Sequence, residues 1–142
     1  MFTLHFYKEV IKIDDSKMIN YIIRQLKENH ITLQRYDSLT SKSVYLKMDL
    51  GVLKSIRINN HKGKKHLHYR YNLQSNIKSS HYDRRNKRFY YTYNDVDKMI
   101  EQILSDRKDK LNRYKNKYYE YMQKNANDNG HRKGFWEESV FI

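Results

Sequence analysis

The spacing of apolar residues changes twice along this chain, and the change limits the folds that the chain can adopt. Between about residues 31 and 93, apolar and polar residues alternate with the two-residue period of a half-buried strand. On both sides of this stretch, apolar residues recur every three or four positions, which is the spacing of a helix with one buried face. The pattern predicts an α+β fold in which an antiparallel sheet of about four strands is packed by an N-terminal helix and a long C-terminal helix.

The two helices are predicted from their caps and their apolar spacing. The first runs from about Ser16 to Asn29, and the second runs from the N-cap residue Asn94 to about Asn125. A helix as long as the second would measure roughly 45 Å at 1.5 Å per residue. We therefore expect its second half to project beyond the sheet or to pack on another surface.

The strands are predicted where the alternation is regular. A turn is expected at residues 60–64, and a polar loop is expected from Gln74 to Asn86. The apolar members of each strand should face the helices, and the polar members should form the opposite face of the sheet. The predicted strands cover residues 31–35, 44–48, 56–58, 67–73 and 89–93.

The length of 142 residues fits one domain. We predict a single α+β domain over residues 1–125 and a C-terminal tail over residues 126–142, whose apolar residues either pack back on the core or contact a partner. With the tyrosine-rich end of the second helix, this tail could form a homodimer. The chain has no cysteine, no long apolar run and no signal-peptide pattern at its start, so we expect a cytoplasmic protein without disulfides or membrane contact.

The positive charge of the chain is concentrated in its middle third. The net charge is +13, from 29 Lys and Arg against 16 Asp and Glu. Residues 51–93, called the basic segment below, hold eleven of the basic side chains and a single acidic one, Asp83. A field of one sign over such a segment attracts polyanions, so RNA, DNA or an acidic protein surface is the expected partner.

Most of this charge is predicted to lie on the sheet face opposite the helices and on the adjoining turns. The alternative is a solvated surface with no partner, but such a surface would normally interleave Glu with Lys across strands. Lysines of the second helix, such as Lys108, Lys110 and Lys115, are expected to matter less because acidic residues accompany them. The candidate binding residues are Arg57, Lys62, Lys64, Lys65, His68, Arg70, Arg84, Arg85, Lys87, Arg88 and Tyr90, with Tyr69 or Tyr90 as a stacking ring.

No catalytic motif occurs in the chain: there is no P-loop, no GxSxG and no GxGxxG. His61, His66 and His68 could bind a metal, but they have no cysteine or nearby carboxylate to complete a site. The basic segment also has no pair of carboxylates that could hold Mg²⁺. We predict a protein that is not an enzyme and uses no cofactor or metal. The alternative is an enzyme whose site is assembled from distant residues, these histidines among them.

Three short stretches, residues 43–47, 54–61 and 68–72, together resemble a segment of small accessory proteins from phages and mobile elements of low-GC Gram-positive bacteria. That class includes anti-CRISPR inhibitors of type II RNA-guided nucleases. The resemblance implies a non-enzymatic inhibitor that acts in the bacterial host cell and binds a host CRISPR nuclease, its nucleoprotein or its nucleic acid. The alternative is an accessory protein that binds DNA or RNA with little sequence preference.

Overall fold

The computed structural model describes residues 15–38, 43–58, 69–127 and 139–142. Within these residues no helix is both long enough and apolar enough to cross a membrane. The helices are α1 (Asp15–Glu28), α2 (Val96–Tyr114) and α3 (Asn116–Asn127). The strands are β1 (Leu33–Asp37), β2 (Val44–Met48), β3 (Ser55–Ile58), β4 (Tyr71–Gln74), β5 (His81–Asp83), β6 (Arg88–Thr92) and β7 (Val140–Phe141).

The described strands form one mixed sheet in the order β5-β6-β4-β3-β2-β1-β7. Neighbouring strands are antiparallel except for two pairs: β3 is parallel to β4, and β4 is parallel to β6. The predicted α+β class is therefore confirmed, but the sheet is larger than four strands and is not purely antiparallel. A turn at residues 60–64 cannot join β3 and β4 as a hairpin, because the two strands run in the same direction; residues 59–68 lie outside the described residues.

Two of the strands lie where the sequence pattern predicts none. β5 has only three residues and falls within the predicted polar loop, where it pairs antiparallel with β6. β7 comes from the predicted tail and pairs with β1 at residues Gln34 and Arg35. Strands of two or three residues are too short to show an alternation, so the period-two signal cannot detect them.

The hydrophobic core lies between the sheet and the helices α1 and α2. As predicted, the apolar members of the alternating strands face these helices, with Leu46, Ile56 and Leu73 fully or almost fully buried against Ile22 and Ile103. Two tyrosine hydroxyls join the helix layer: Tyr21 donates to Asp97, and Tyr93 donates to Asp15 over 2.8 Å. The core is thus apolar in its centre and tied at its edge by phenol–carboxylate hydrogen bonds.

The C-terminal helix is broken, which corrects the prediction of one continuous helix from Asn94 to Asn125. The break is at Lys115, whose φ of 52° lies in the left-handed region. The helix also begins later than predicted: residues 93–95 form a 3-10 turn, and Asp95 precedes the first helical residue. After the break, α3 lies against the turn that follows β2 instead of projecting from the sheet.

That turn, Asp49–Gly51, is organised by one buried carboxylate. The Asp49 side chain is fully buried and accepts hydrogen bonds from the Thr32 backbone (2.9 Å), from Arg107 Nε of α2 (2.8 Å) and from the hydroxyl of Tyr118 of α3. Asp49 and Leu50 both have positive φ values, which cost non-glycine residues of order 1 kcal/mol each. The three hydrogen bonds offset that cost, and they join the turn to the start of β1 and to the helices α2 and α3.

Removing the Asp49 carboxylate should destabilise the fold strongly. Asp49→Ala leaves Arg107, only 15% exposed, and the buried Tyr118 hydroxyl without their acceptor, so we expect a loss of about 3–5 kcal/mol in the free energy of unfolding. Asp37→Ala is the control, because it breaks the exposed ion pair with Arg35 (2.7 Å) and should cost less than ~1 kcal/mol. Urea denaturation measures both. Equal losses would contradict the role of Asp49.

Candidate polyanion-binding groove

Three basic residues stand immediately before three parallel strands. Lys54 precedes β3, Arg70 precedes β4, and Lys87 precedes β6. Because these strands are parallel neighbours, their amino ends lie at the same edge of the sheet. The backbone confirms the register, since Arg70 N donates to Ser55 O (3.0 Å) and Phe89 N donates to Arg70 O (2.7 Å).

At this edge, three adjoining open concavities of about 360, 260 and 420 Å³ share Lys54. The first lies beside β6, the second lies between Arg70 and α2, and the third reaches Asn125 of α3. We call the three concavities together the cationic groove. Its cations are Lys54, Arg70, Lys87, Arg88, Lys110, Arg113 and Lys124, and its carboxylates are Asp106 and Asp109.

Arg70 is held in the middle of the groove by contacts on several sides. Its Nε lies 3.6 Å from Asp106 Oδ2, its Nη1 donates to Lys87 O over 3.3 Å, and its guanidinium carbon lies 5.0 Å from the centre of the Phe89 ring. Asp106 also accepts hydrogen bonds from the Tyr71 hydroxyl (2.5 Å) and from Gln102 Nε2 (2.9 Å). Burial and the bond to Asp106 raise the pKa of Tyr71. Asp106 is therefore engaged by the protein and orients Arg70.

Lys110 brings the helix side into the same positive field. Its Nζ donates to Val52 O over 2.7 Å, which fixes the ammonium over the turn that precedes β3. Burial lowers the pKa of Lys110, and the positive charges of Lys54 and Arg70 lower it further. Cations that repel one another in this way are stabilised when an anion binds between them.

The hairpin between β5 and β6 adds exposed charge at one end of the groove. Arg84, Arg85 and Lys87 are all exposed there. The one carboxylate of the hairpin, Asp83, accepts hydrogen bonds from Asn86 Nδ2 (2.8 Å) and from the backbone of Arg85 and Asn86, and the bonds from Asn86 are the main cause of its lowered pKa. The Asp83 carboxylate thus stabilises the turn between β5 and β6.

The sheet face opposite the helices is not the open basic surface that the alternation predicted. Arg57 is only 1% exposed and Lys47 only 7% exposed. Tyr69 is also buried, and the Arg88 guanidinium carbon lies 4.3 Å from its ring centre. Tyr69 therefore supports Arg88 and does not offer an open stacking face, which corrects that expectation.

The remaining predicted residues fall in different places. Arg70 lies on the helix side of the sheet, because the chain bends there and places Tyr69 and Tyr71 on opposite faces. Tyr90 stacks on His81 with ring centres 5.1 Å apart and is not among the residues that line the groove. Lys62, Lys64, Lys65 and His68, together with His61 and His66, lie outside the described residues.

The groove also contains residues that the sequence pattern does not indicate. Lys54 is isolated in the sequence, and Lys110, Arg113 and Lys124 belong to helices whose charge is balanced overall. Lys110 was expected to matter less than the hairpin, but it lies beside Arg70 and Lys54. Only the packing of α2 and α3 against the turn brings these residues together.

Comparison with protein-family models, curated proteins and solved structures gives no match for this chain. Across residues 15–38, 43–58, 69–127 and 139–142, no group of three or more His, Asp or Glu is placed to hold a metal ion.

The buried position of Lys47 makes stability depend on pH. Burial lowers its pKa from the ordinary 10.5 to about 8, so the unfolded chain holds more protons between these values and stability rises with pH there. From pH 7.5 to 9.5 the wild-type protein should gain about 1–2 kcal/mol that Lys47→Met does not gain. Urea denaturation at the two pH values measures this gain. Parallel pH dependences of the two proteins would contradict it.

Proposed function

We propose that this protein is a non-enzymatic nucleic-acid-binding protein that holds a phosphate backbone in the cationic groove. One observation carries the proposal: among the described residues, seven cations at the starts of three strands and on two helices converge on one open groove whose described lining contains two carboxylates. A surface selected only for solubility would mix both signs of charge more evenly.

The layout of the groove suits a linear polyanion better than a small anion. Adjacent strands of a sheet lie about 4.8 Å apart, so the cations before β3, β4 and β6 form a row with roughly that spacing. The groove then continues past Lys110 to Lys124 on α3. A single phosphate would use only one of the three concavities, whereas successive phosphates of a strand can occupy the whole row.

The contacts available in the groove favour binding with little sequence preference. Lysine and arginine dominate the lining, and these side chains mainly contact phosphate in proteins that position a backbone. Sequence-specific binding needs hydrogen bonds to base edges, for which side-chain amides are the usual partners besides arginine. The described lining of the groove has two such amides, Asn86 and Asn125; Asn125 donates to Leu50 O (2.8 Å), and Asn86 donates to Asp83.

The groove can be tested by reversing its exposed charges. Changing Lys54, Lys87, Arg113 and Lys124 to Glu should lower affinity for a fluorescent oligonucleotide at least tenfold. The slope of log K against log[salt] should become shallower by ~0.7–0.9 for each phosphate that the variant no longer binds. Fluorescence anisotropy across a salt series measures both quantities. All four side chains are exposed, so thermal melting should change little.

The matched control carries the same change of charge outside the groove. Lys17, Lys27, Lys78 and Lys108 are exposed and do not line it, so their replacement by Glu should retain most of the affinity and the salt slope. If the control loses as much affinity as the groove variant, overall charge and not the groove is responsible. If the wild-type protein binds no oligonucleotide at low salt, the proposed function is wrong.

Inhibition of an RNA-guided nuclease, which the resemblance implies, stays a prediction. A strongly basic inhibitor would have to contact guide RNA, target DNA or an acidic protein patch, and the cationic groove is where such a contact would form. We expect co-elution with a type II CRISPR nuclease charged with guide RNA, and loss of DNA cleavage in that mixture. The groove variant should restore cleavage. Undiminished cleavage at a large excess of the wild-type protein would end this hypothesis.

A further inference from the structure

The far end of the cationic groove is formed by two tyrosines. Tyr114 at the end of α2 and Tyr121 of α3 line the third concavity together with Lys54, Lys110 and Lys124. Their rings meet edge to face, with centres 5.6 Å apart and planes at 83°. An edge-to-face partner fixes the orientation of a ring and so reduces the entropy lost when another ring stacks on it.

The exposure of Tyr121 distinguishes this end of the groove from the other. Tyr121 is 42% exposed, whereas Tyr69 at the β6 end is 6% exposed and lies beneath the Arg88 guanidinium. Only the α3 end therefore combines an accessible aromatic ring with cations within the described lining of the groove.

We infer that the cationic groove takes single-stranded nucleic acid, with one base stacked on Tyr121 while Lys110 and Lys124 contact the flanking phosphates. This inference rests on the proposed function and specifies its ligand. In a duplex the bases are paired and stacked on each other, so an aromatic side chain at the groove wall cannot reach a base face. A single strand exposes its base faces, and every base has one, so this contact requires no particular sequence.

The test compares Tyr121→Ala with Tyr119→Ala. Tyr119 is the matched control because it is 57% exposed on the same helix but does not line the groove. The probes are a 12-nucleotide oligo-dT, the corresponding oligo-U, a 12-base-pair duplex, and an oligo-dT of equal charge with several abasic positions. Tyr121→Ala should lower affinity roughly tenfold for at least one single strand and leave duplex affinity unchanged. Tyr119→Ala should behave like the wild-type protein.

Two further measurements separate stacking from an indirect effect on folding. Tyr121→Phe keeps the ring and should retain wild-type affinity, and the abasic strand should bind the wild-type protein about as weakly as oligo-dT binds Tyr121→Ala. The inference is overturned if Tyr121→Ala binds both single strands as tightly as wild type, or if it loses duplex binding equally. The proposed function itself survives that result as long as the four-Glu groove variant still loses affinity, and it fails if the wild-type protein binds none of the probes.

Discussion

The buried Asp49 carboxylate is the interaction on which the rest of this structure depends. It joins the start of β1 to α2 and α3 through Thr32, Arg107 and Tyr118. Carbonyls in this turn and directly after it also accept hydrogen bonds, Leu50 O from Asn125 and Val52 O from Lys110. A buried charge is tolerated only when its hydrogen bonds are made. The hydrogen bonds that the Asp49 carboxylate requires therefore fix the position of α2 and α3, and these helices form one wall of the cationic groove.

The other wall depends on the direction of the strands. With β4 and β6 parallel, Arg70 and Lys87 lie side by side, and Arg70 donates to Lys87 O. If the two strands were antiparallel, these cations would stand at opposite ends of a strand pair, roughly 13–17 Å apart at 3.3 Å per residue. The same residues, with the same exposure, would then form two weak patches instead of one groove. The direction of the strands therefore determines whether these cations produce one concentrated positive field.

The sequence could predict the elements more readily than their arrangement. The helix of residues 15–28 and the strand of residues 44–48 follow from local periodicity, and the structure has both nearly as predicted. Periodicity does not encode whether β3 and β4 run parallel, nor the break at Lys115, after which Tyr118 of α3 donates to Asp49. The basic segment includes Arg70, Lys87 and Arg88 of the groove. The predicted open basic face is absent because Arg57 and Lys47 are buried on it, and because the bend at Arg70 places that residue on the helix side. Lys54, Lys110 and Lys124 could not be selected because only tertiary packing brings them together.

The high tyrosine content helps to explain how the groove stays basic in a chain with sixteen acidic residues. Four carboxylates accept hydrogen bonds from tyrosine hydroxyls: Asp15 from Tyr93, Asp49 from Tyr118, Asp97 from Tyr21, and Asp106 from Tyr71. Burial and these bonds raise the pKa values of all four phenols, so each remains a neutral donor well beyond its usual range. Neutral donors satisfy carboxylates without adding cations to the core. Of the groove cations, Arg70 still pairs with one of these carboxylates, Asp106 (3.6 Å), but the phenols supply hydrogen bonds that further lysines or arginines would otherwise supply. Burial lowers the pKa of Lys110 and the positive charges of Lys54 and Arg70 lower it further, and this repulsion is relieved when an anion binds.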